Sequence, residues 1–490
     1  MKKTEIELPI IVCGEKVYLD KDKEYEEFTY DSGITVKIPK LTEENIEKMK
    51  NASNEELKNM DIDEITIFLQ KVARKWMEPD YELKKKAIEY GAAITGFDPC
   101  FIERDYTIIS QFMIDRGELY DQIEAELGDY RLLDDWVMKH ECKVHAEPRG
   151  KVLHVMVGNV PIASVFTVIR GILSKNVNIA KLPSRDLVTC LFFALSFFDI
   201  DPTHPITKAT SIVYWSGGDE KIEDRMLNMA DVVCVWGGKE AVSKIKPKVP
   251  YGAEYIEFGP KRSFSIIDLS MEQDIDKTAC RMACDMSLYN QEACFCPLEL
   301  YVKGGLKQEF LDALIKWLNI NAKRWPKGQV KSDINAHILI TKLSEQFKGN
   351  KVIADKNNDW TIIISKLPKE IVEHPLSRTL FIYEIDDIKE IIPYVSTNNQ
   401  SIGVFPWEIS KKYGHDLLSA GADRMCELGT HAIFRTGFPH DSIYPLARMV
   451  RWLSIEKPLS YCGKYLNNIE ESEFLYFGYY VESDKQYDKE

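Results

Sequence analysis

Residues 151–183, KVLHVMVGNVPIASVFTVIRGILSKNVNIAKLP, contain two apolar segments separated by a turn and a longer apolar stretch. The turn is GNVP, and Pro161 then occupies the first turn of the predicted helix, a position that proline favours. The pattern predicts a strand, a helix and a second strand in succession. Such a unit places its two strands in parallel, joined by a right-handed crossover.

The same alternation continues along the chain. LVTCLFFALSFF predicts a buried helix, while TSIVYWSGG and ADVVCVWGG predict further strands that each lead to a glycine pair. Strands alternating with helices at this spacing favour a parallel sheet, and therefore an α/β fold. Ligands of such sheets bind at the carboxyl ends of the strands, where GNVP, KLPSRD and WGGKEA fall.

A second alternation begins at RSFSIID, which starts at residue 262. It continues through a predicted helix over residues 271–288, the strand LELYVKG and a helix from about Leu306, and later through WTIIIS, RTLFIYEI and SIGVFPW. The joint at residues 258–262 is therefore the predicted domain boundary. The first hundred residues differ from both alternations, since they mix short strands with charged helical segments.

The composition excludes several classes of protein. The chain has 490 residues and a net charge of −14, so nucleic acid or an anionic membrane is not expected as its main partner. Residues 153–169 lack charge but are broken by GNVP, and residues 187–198 are too short to span a bilayer. The N-terminal sequence does not resemble a signal peptide. We therefore expect a cytoplasmic protein with reduced cysteines and no integral membrane segment.

Two thiols lie one residue apart in NQEACFCPLELYV, residues 290–302. Cys294 follows a polar turn and precedes a predicted buried strand, a suitable place for a nucleophile, although most cysteines are buried hydrophobic residues. Cys280, Cys284, Cys294 and Cys296 could also suggest zinc, but they form no CxxC pair. None of the nine histidines has a metal-binding spacing either, so no metal is expected.

The usual nucleotide-binding motifs GxGxxG and GxxxxGK[ST] are absent. Five other segments occur in an order that resembles the aldehyde dehydrogenase superfamily: VGNVP, AKLPSRD, VWGGKEAV, IEFGPK and NQEAC. The resemblance implies an α/β, aldehyde dehydrogenase-like fold, with a variant Rossmann cofactor domain, an α/β catalytic domain and small oligomerisation and terminal segments. Two departures, the inserted Leu182 in KLP and the two residues between Gln and Cys in QEAC, indicate a divergent branch.

Four further segments resemble the acyl-CoA reductase family: NQEACFCP, SRTLFIYEIDDIKEII, STNNQSIGVFP and PHDSIYPLARMVRWLS. This resemblance extends over roughly residues 100–460, and it departs at Ser442, where glycine is expected. The domains it implies are an N-terminal accessory region (1–140), an NAD(P)-binding domain (141–260), a catalytic domain (261–440) and a C-terminal segment that returns to the cofactor domain or an oligomer interface (441–490).

The resemblance also implies catalytic roles. Cys294 would accept the acyl group, and the side chain of Asn159 and the backbone N–H of Cys294 would stabilise the oxyanion. Cys296 would begin the packed strand with its side chain turned away. Glu257 would face the thiol, and its role stays open between a proton acceptor and a partly solvated residue that ends a strand. His440 and Asp441 suggest a dyad, but a loop that closes the site or packs at a domain seam is the preferred interpretation.

The implied cofactor-binding residues are Lys181, Ser184, Arg185, Gly237 and Gly238. NAD-preferring relatives place an acid near position 185, which would repel a 2′-phosphate, whereas arginine can pair with one. The expected coenzyme is therefore NADPH, with NADH as the alternative.

The expected function is NADPH-dependent reduction of a fatty acyl thioester, on CoA or on a protein, to the aldehyde through an acyl group on Cys294. An acyl-protein synthetase is the implied candidate partner. A homo-oligomer is also expected, with FLYFGYYVES at residues 474–483 as a candidate exchanged strand. The alternatives are a CoA-acylating dehydrogenase of a short-chain aldehyde and a non-catalytic scaffold for the synthetase.

Overall fold

The fold is known from a computed structural model, which describes residues 4–20, 22–140, 142–271, 274–366 and 373–456. The candidate exchanged strand at residues 474–483 lies outside these ranges. No helix within them is both long and apolar enough to cross a membrane.

The strands, in chain order, are β1 (Thr4–Glu7), β2 (Ile10–Val12), β3 (Glu15–Val17), β4 (Tyr25–Thr29), β5 (Ile34–Pro39), β6 (Val137–Lys139), β7 (Cys142–Pro148), β8 (Lys151–Val155), β9 (Val177–Lys181), β10 (Thr210–Val213), β11 (Val232–Trp236), β12 (Glu254–Phe258), β13 (Arg262–Asp268), β14 (Pro297–Lys303), β15 (Lys351–Ala354), β16 (Thr361–Ser365), β17 (Thr379–Ile385), β18 (Asn399–Phe405), β19 (Arg424–Glu427) and β20 (Val450–Glu456).

The α-helices are α1 (Glu43–Lys50), α2 (Glu55–Lys58), α3 (Ile62–Met77), α4 (Glu82–Thr95), α5 (Pro99–Ile114), α6 (Arg116–Leu127), α7 (Pro161–Leu173), α8 (Thr189–Leu195), α9 (Phe197–Ile200), α10 (Pro205–Lys208), α11 (Glu220–Asn228), α12 (Lys239–Ile245), α13 (Ile275–Ser287), α14 (Gln308–Arg324), α15 (Ser332–Phe347), α16 (Glu408–Ser419) and α17 (Pro445–Arg448). Short 3₁₀ turns cover Tyr130–Leu133, Lys246–Lys248, Leu288–Gln291 and Ile388–Tyr394.

The first seven-stranded sheet has the order β12-β11-β8-β9-β10-β2-β3. Strands β8 to β12 are parallel, while β2 and β3 from the N-terminal region add an antiparallel edge. The quoted segment forms β8, α7 and β9 as predicted, and both strands are almost entirely buried. The carboxyl ends of β8, β11 and β12 lie side by side, so the loops that follow them meet at one edge.

The second seven-stranded sheet has the order β15-β16-β17-β14-β13-β18-β19, and only β15 runs antiparallel to its neighbour. Successive side chains of β13 enter different cores, with Ile266 on the α16 side and Ile267 on the side of α13 and α14. Helices therefore cover both faces, and the turn between α13 and β14 emerges at the middle of the sheet.

Two three-stranded sheets complete the fold. One, ordered β1-β5-β4, belongs to the N-terminal region. In the other, ordered β20-β7-β6, the strand after β19 pairs with the strand before β8. The predicted α/β class with parallel sheets is confirmed.

One predicted helix is divided. The segment LVTCLFFALSFF, residues 187–198, forms α8 and α9 with a break at Ser196. The Ser196 hydroxyl donates to the carbonyl of Phe193 at 2.5 Å and accepts from Trp76 Nε1 at 2.9 Å. A serine that bonds the preceding turn while accepting a tertiary hydrogen bond favours such a break, and the distant Trp76 is not visible in the local pattern.

Candidate active site

A cavity of about 400 Å³ lies beside the carboxyl ends of β8, β11 and β12 and beside the turn that precedes β14. Its lining includes Asn159, Gly237, Gly238 and Cys294, which are far apart in sequence. The structure therefore brings together the predicted oxyanion residue, the predicted glycine turn and the predicted nucleophile.

Three consecutive residues before Cys294 adopt the left-handed backbone conformation. Their φ angles are +45° at Tyr289, +50° at Asn290 and +64° at Gln291. This conformation costs roughly 1–2 kcal/mol for each residue that has a side chain. The turn therefore depends on contacts from the surrounding structure, and we refer to residues 289–294 as the nucleophile turn.

A second left-handed run, residues 376–378, supports the nucleophile turn. The Ser377 N–H donates to the Asn290 carbonyl at 2.8 Å. The Gln291 side chain donates to the Thr379 carbonyl at 2.8 Å and accepts from the Thr379 N–H at 2.7 Å. The two left-handed segments thus hold each other in place. Because Thr379 is the first residue of β17, these bonds also attach the nucleophile turn to the second sheet.

The Cys294 thiol is half-buried, and its surroundings oppose ionisation. Burial raises the pKa of Cys294 to about 12, with a further increase from the Asp441 carboxylate. Hydrogen bonds from Gln400 and from the backbone N–H groups of Cys294 and Phe295 favour the thiolate. Gln400 also donates to Asp441 Oδ1 at 2.6 Å, so one side chain links the thiol to the carboxylate.

Cys296 differs from Cys294 in both burial and partner. Its side chain is 1% exposed, and the thiol donates to the Leu288 carbonyl at 3.3 Å. Cys296 therefore packs beneath the nucleophile turn, almost fully buried, although it is also among the residues that line the cavity.

Asn159 lies between β8 and α7 and contacts the nucleophile turn directly. Its Nδ2 donates to the Glu292 carbonyl at 2.8 Å, and its Oδ1 is buried with no hydrogen bond from any described residue. The Nδ2 group retains a second N–H, which is the donor that an oxyanion role requires.

Glu257 is not among the residues that line the cavity. Its exposed carboxylate lies 2.9 Å from Lys246 Nζ, while the neighbouring Phe258 lines the cavity. Alternation along β12 explains the difference, because adjacent side chains point to opposite faces. Of the two roles left open by the sequence, this geometry favours the solvated residue near a strand end.

The predicted coenzyme residues fall into two groups, since Gly237 and Gly238 line the cavity and the other three do not. Lys181 Nζ lies 4.9 Å from the Trp215 ring centroid, and burial lowers the pKa of this lysine. Ser184 is exposed. Arg185 pairs with Glu292 at 2.6 Å, a contact that the sequence did not predict.

His440 and Asp441 do not form a hydrogen-bonded dyad. His440 Nε2 is 3.9 Å from Asp441 Oδ1, and burial among aromatic rings lowers the pKa of His440 to about 3. The rings of Trp236 and Phe258 lie 5.3 and 5.1 Å from the imidazole. The two residues begin a tight turn in which Ser442, where the family motif has glycine, adopts φ +65°, a conformation that favours glycine.

A groove extends from the nucleophile turn along one face of α7. Its partly exposed residues on that helix are Ile162, Ala163, Phe166 and Arg170, which recur at helical spacing. Apolar side chains from α5 and from the segment 432–438 complete the lining: Ile108, Phe112, Phe434 and Phe438. The α7 residues that line the cavity extend from Ile162 to Leu173, so this wall is about 17 Å long at about 1.5 Å per residue.

No group of three or more histidine, cysteine, aspartate or glutamate side chains that could hold a metal occurs in the described part of the chain. The sequence did not single out Gln400, Glu292 or the apolar groove. Gln400 lies within STNNQSIGVFP and Glu292 within NQEAC, so the resemblance covered these residues without indicating what they contact.

Comparison with known proteins identifies the family of this chain. The acyl-CoA reductase (LuxC) family matches residues 57–452. The chain belongs to this oxidoreductase family. The long-chain acyl-protein thioester reductase of Vibrio harveyi is 32% identical over 474 residues, covering 96% of this chain and 98% of that protein. The reductase of the same description from Photobacterium phosphoreum is 35% identical over 479 residues, with 96% and 97% covered.

Solved structures of aldehyde dehydrogenases share the fold of this acyl-CoA reductase family member. Aldehyde dehydrogenase 21 from Physcomitrella patens has a TM-score of 0.71 at 14% identity, covering 93% of this chain and 99% of that chain. The NADP-dependent glyceraldehyde-3-phosphate dehydrogenase from Bacillus halodurans has a TM-score of 0.68 at 16% identity, with 91% and 99% covered.

The Gln291 side chain should contribute strongly to stability. Gln291→Ala removes its bonds to Thr379 and its donation to the Pro297 carbonyl at 2.9 Å, leaving buried groups unpaired. We expect the free energy of unfolding to fall by about 2–4 kcal/mol in denaturant titrations. The matched control is Gln308→Ala on the exposed surface of α14, expected to change it by less than about 0.5 kcal/mol. Equal losses of unfolding free energy in the two variants would contradict the role of Gln291 in holding the nucleophile turn.

The Cys294 thiol should be protonated in the coenzyme-free protein. Its alkylation by iodoacetamide, followed by site-resolved mass spectrometry, should rise about tenfold per pH unit from pH 7 to 10, because only the thiolate reacts. Asp441→Asn removes a negative charge, lowers the thiol pKa and should speed alkylation several-fold at each pH. A plateau near pH 8, or no effect of Asp441→Asn, would contradict this description.

Proposed function

We propose that this chain reduces a long-chain fatty acyl thioester to the aldehyde through an acyl group on Cys294, with NADPH as the reductant. The observation that carries the proposal is the apolar groove along α7, which begins beside the predicted nucleophile. An extended alkyl chain gains free energy by leaving water for such a groove, at about 0.8 kcal/mol per CH₂ group. The names of the relatives, as acyl-protein thioester reductases, support the same substrate class.

The residues at the carboxyl ends of β9 and β11 fit a nicotinamide coenzyme. A Cβ atom at Gly238 would meet nothing within 4 Å, so the backbone is open to a ligand. Lys181 and Ser184 would bind ribose and phosphate oxygens, and Gly237 would admit the backbone approach. The acid of this segment, Asp186, is buried and accepts from the N–H groups at the start of α8, so no described carboxylate of KLPSRD opposes a 2′-phosphate.

The first half-reaction is acyl transfer to the thiol. Sγ of Cys294 attacks the carbonyl carbon of the donor thioester, the new C–S bond forms, and the donor's C–S bond breaks. The thiol proton leaves with the departing thiolate, which is released as a thiol. Gln400 and the backbone N–H groups at positions 294 and 295 stabilise the developing thiolate on Cys294. The free N–H of Asn159 stabilises the negative charge on the acyl oxygen.

The second half-reaction reduces the acyl group on Cys294. The reduced coenzyme, when bound, supplies the hydride that converts the thioester carbon to the aldehyde level. Asn159 holds the oxygen of the resulting thiohemiacetal, which collapses by breaking the C–S bond to Cys294 and releases the aldehyde. The balance is thioester + NADPH + H⁺ giving aldehyde, free thiol and NADP⁺. Glu257 has no necessary part in this sequence, because no water attacks the acyl group.

The donor of the acyl group is a CoA thioester or an acylated protein. An acyl-protein synthetase is the proposed partner, and a homo-oligomer is the proposed assembly. Both proposals derive from the family resemblance rather than from a described interface.

The length of the α7 groove should determine substrate preference. Wild-type NADPH oxidation should increase from butyryl-CoA to acyl chains of about 12–16 carbons, because longer chains bury more CH₂ groups. Ala163→Phe should fill part of the groove along α7 and lower kcat/KM for the longest substrates at least tenfold, with a smaller effect on butyryl-CoA. Ala336→Phe, on the exposed face of α15, is the matched control.

Two outcomes of this experiment would oppose the proposal. A wild-type preference for butyryl-CoA would favour a short-chain CoA-acylating dehydrogenase. Absence of NADPH oxidation with every acyl-CoA and with an acylated carrier protein would favour a non-catalytic scaffold.

A further inference from the structure

Arg185 and Glu292 form an ion pair between the two sides of the cavity. The guanidinium Nη2 lies 2.6 Å from Glu292 Oε2, and the two side chains are 38% and 15% exposed. Arg185 follows β9 on the coenzyme side, whereas Glu292 lies in the nucleophile turn, two residues before Cys294. The pair therefore connects the predicted coenzyme segment to the residue that bears the nucleophile.

Glu292 also connects to the predicted oxyanion donor through its backbone. Its carbonyl accepts from Asn159 Nδ2 at 2.8 Å, while its carboxylate contacts Arg185. One residue thus joins three elements of the proposed chemistry, and a shift of Glu292 would move the nucleophile relative to Asn159.

The backbone around Arg185 is held firmly enough to act as a support. A Cβ atom added at Gly158 would lie 2.7 Å from Arg185 Cβ, so the two segments are in close contact beside Asn159. The next residue, Asp186, is 1% exposed and accepts from the N–H groups of Val188 and Thr189 at 3.1 and 2.9 Å. The position of Arg185 is therefore set by α8 and by Gly158.

The charge of Glu292 requires a nearby cation. Burial raises the pKa of Glu292, and Arg185 opposes that increase more strongly than the more distant Lys331 does. Removing the cation beside a largely buried carboxylate leaves that charge desolvated and unpaired, which is unfavourable. A 2′-phosphate that took the guanidinium away from Glu292 would impose this cost on the nucleophile turn.

We propose that Arg185 is a positioning residue, which holds the nucleophile turn and Asn159 in register through Glu292, and that it is not the ligand of the coenzyme 2′-phosphate. The proposal rests on the proposed function in one respect, because acyl transfer to Cys294 is the step that this register serves. In this proposal, the ion pair between Arg185 and Glu292 connects the segment after β9 to the nucleophile turn.

A charge exchange tests the ion pair without coenzyme. Arg185→Glu and Glu292→Arg should each slow the alkylation of Cys294 by iodoacetamide and its acylation by acyl-CoA by about tenfold, since small displacements of reacting groups have effects of this size. The double variant should return both rates to within about threefold of wild type. The matched control is the surface pair Arg225 and Glu43, whose exchange should change neither rate.

A neutral substitution tests the coenzyme role separately. Arg185→Gln and Glu292→Gln should each lower kcat by a similar factor. Neither variant should change the ratio of kcat/KM for NADPH to that for NADH by more than about threefold. Thermal unfolding of each variant identifies any that fail to fold. If a charge-exchange variant does not fold, the Gln variants, which remove the charge without reversing it, are used to test the ion pair.

Two results would overturn the inference. The first is a double variant whose alkylation and acylation rates fall by as much as the two single variants' losses combined. The second is a large loss of NADPH preference in Arg185→Gln with unchanged coenzyme-free alkylation, which would make Arg185 a phosphate ligand. If wild-type protein accepts no acyl group, the proposed function fails, but iodoacetamide alkylation still reports on the ion pair.

Discussion

The hydrogen bonds between Gln291 and Thr379 are the constraint on which the rest of the site depends. They attach a turn of three left-handed residues to the first residue of β17, at the centre of the second sheet. Unfavourable backbone conformation persists where surrounding contacts over-determine it, and such positions are frequent at functional sites. Here the arrangement presents Cys294 to the cavity, places Cys296 beneath the turn and directs Glu292 toward the coenzyme side.

The environment of the thiol involves a compromise between binding and reactivity. An apolar groove suits an acyl chain, but the same desolvation opposes formation of the thiolate. Backbone N–H groups and Gln400 partly offset this effect, and in the proposed acyl transfer they would stabilise the negative charge on the sulfur. A thiol that stays protonated at rest is also protected from oxidation and alkylation, because both reactions require the thiolate.

The sequence predicted the elements of the fold well because strand and helix patterns are local. The quoted β8–α7–β9 unit and the later strands follow from apolar periodicity, whereas the aldehyde dehydrogenase-like class follows from the family resemblance. The site was harder to predict, since it depends on contacts between distant segments. The pairing of Arg185 with Glu292, the face of Glu257 and the packing of His440 each depend on side-chain direction, which motif spacing does not specify. At Ser442 the family motif places glycine, and the φ of +65° observed there is one that glycine adopts readily.

The most direct test of the central claim is a single-turnover chase monitored by intact-protein mass and aldehyde release. Protein incubated with a long-chain acyl-CoA and freed of excess donor should carry one acyl group, which Cys294→Ala should lack and Cys296→Ala should retain. Addition of NADPH should then remove that group and release one equivalent of the matching aldehyde at the same rate. Aldehyde formation without loss of the acyl group, or from Cys294→Ala at the wild-type rate, would contradict a covalent route through Cys294.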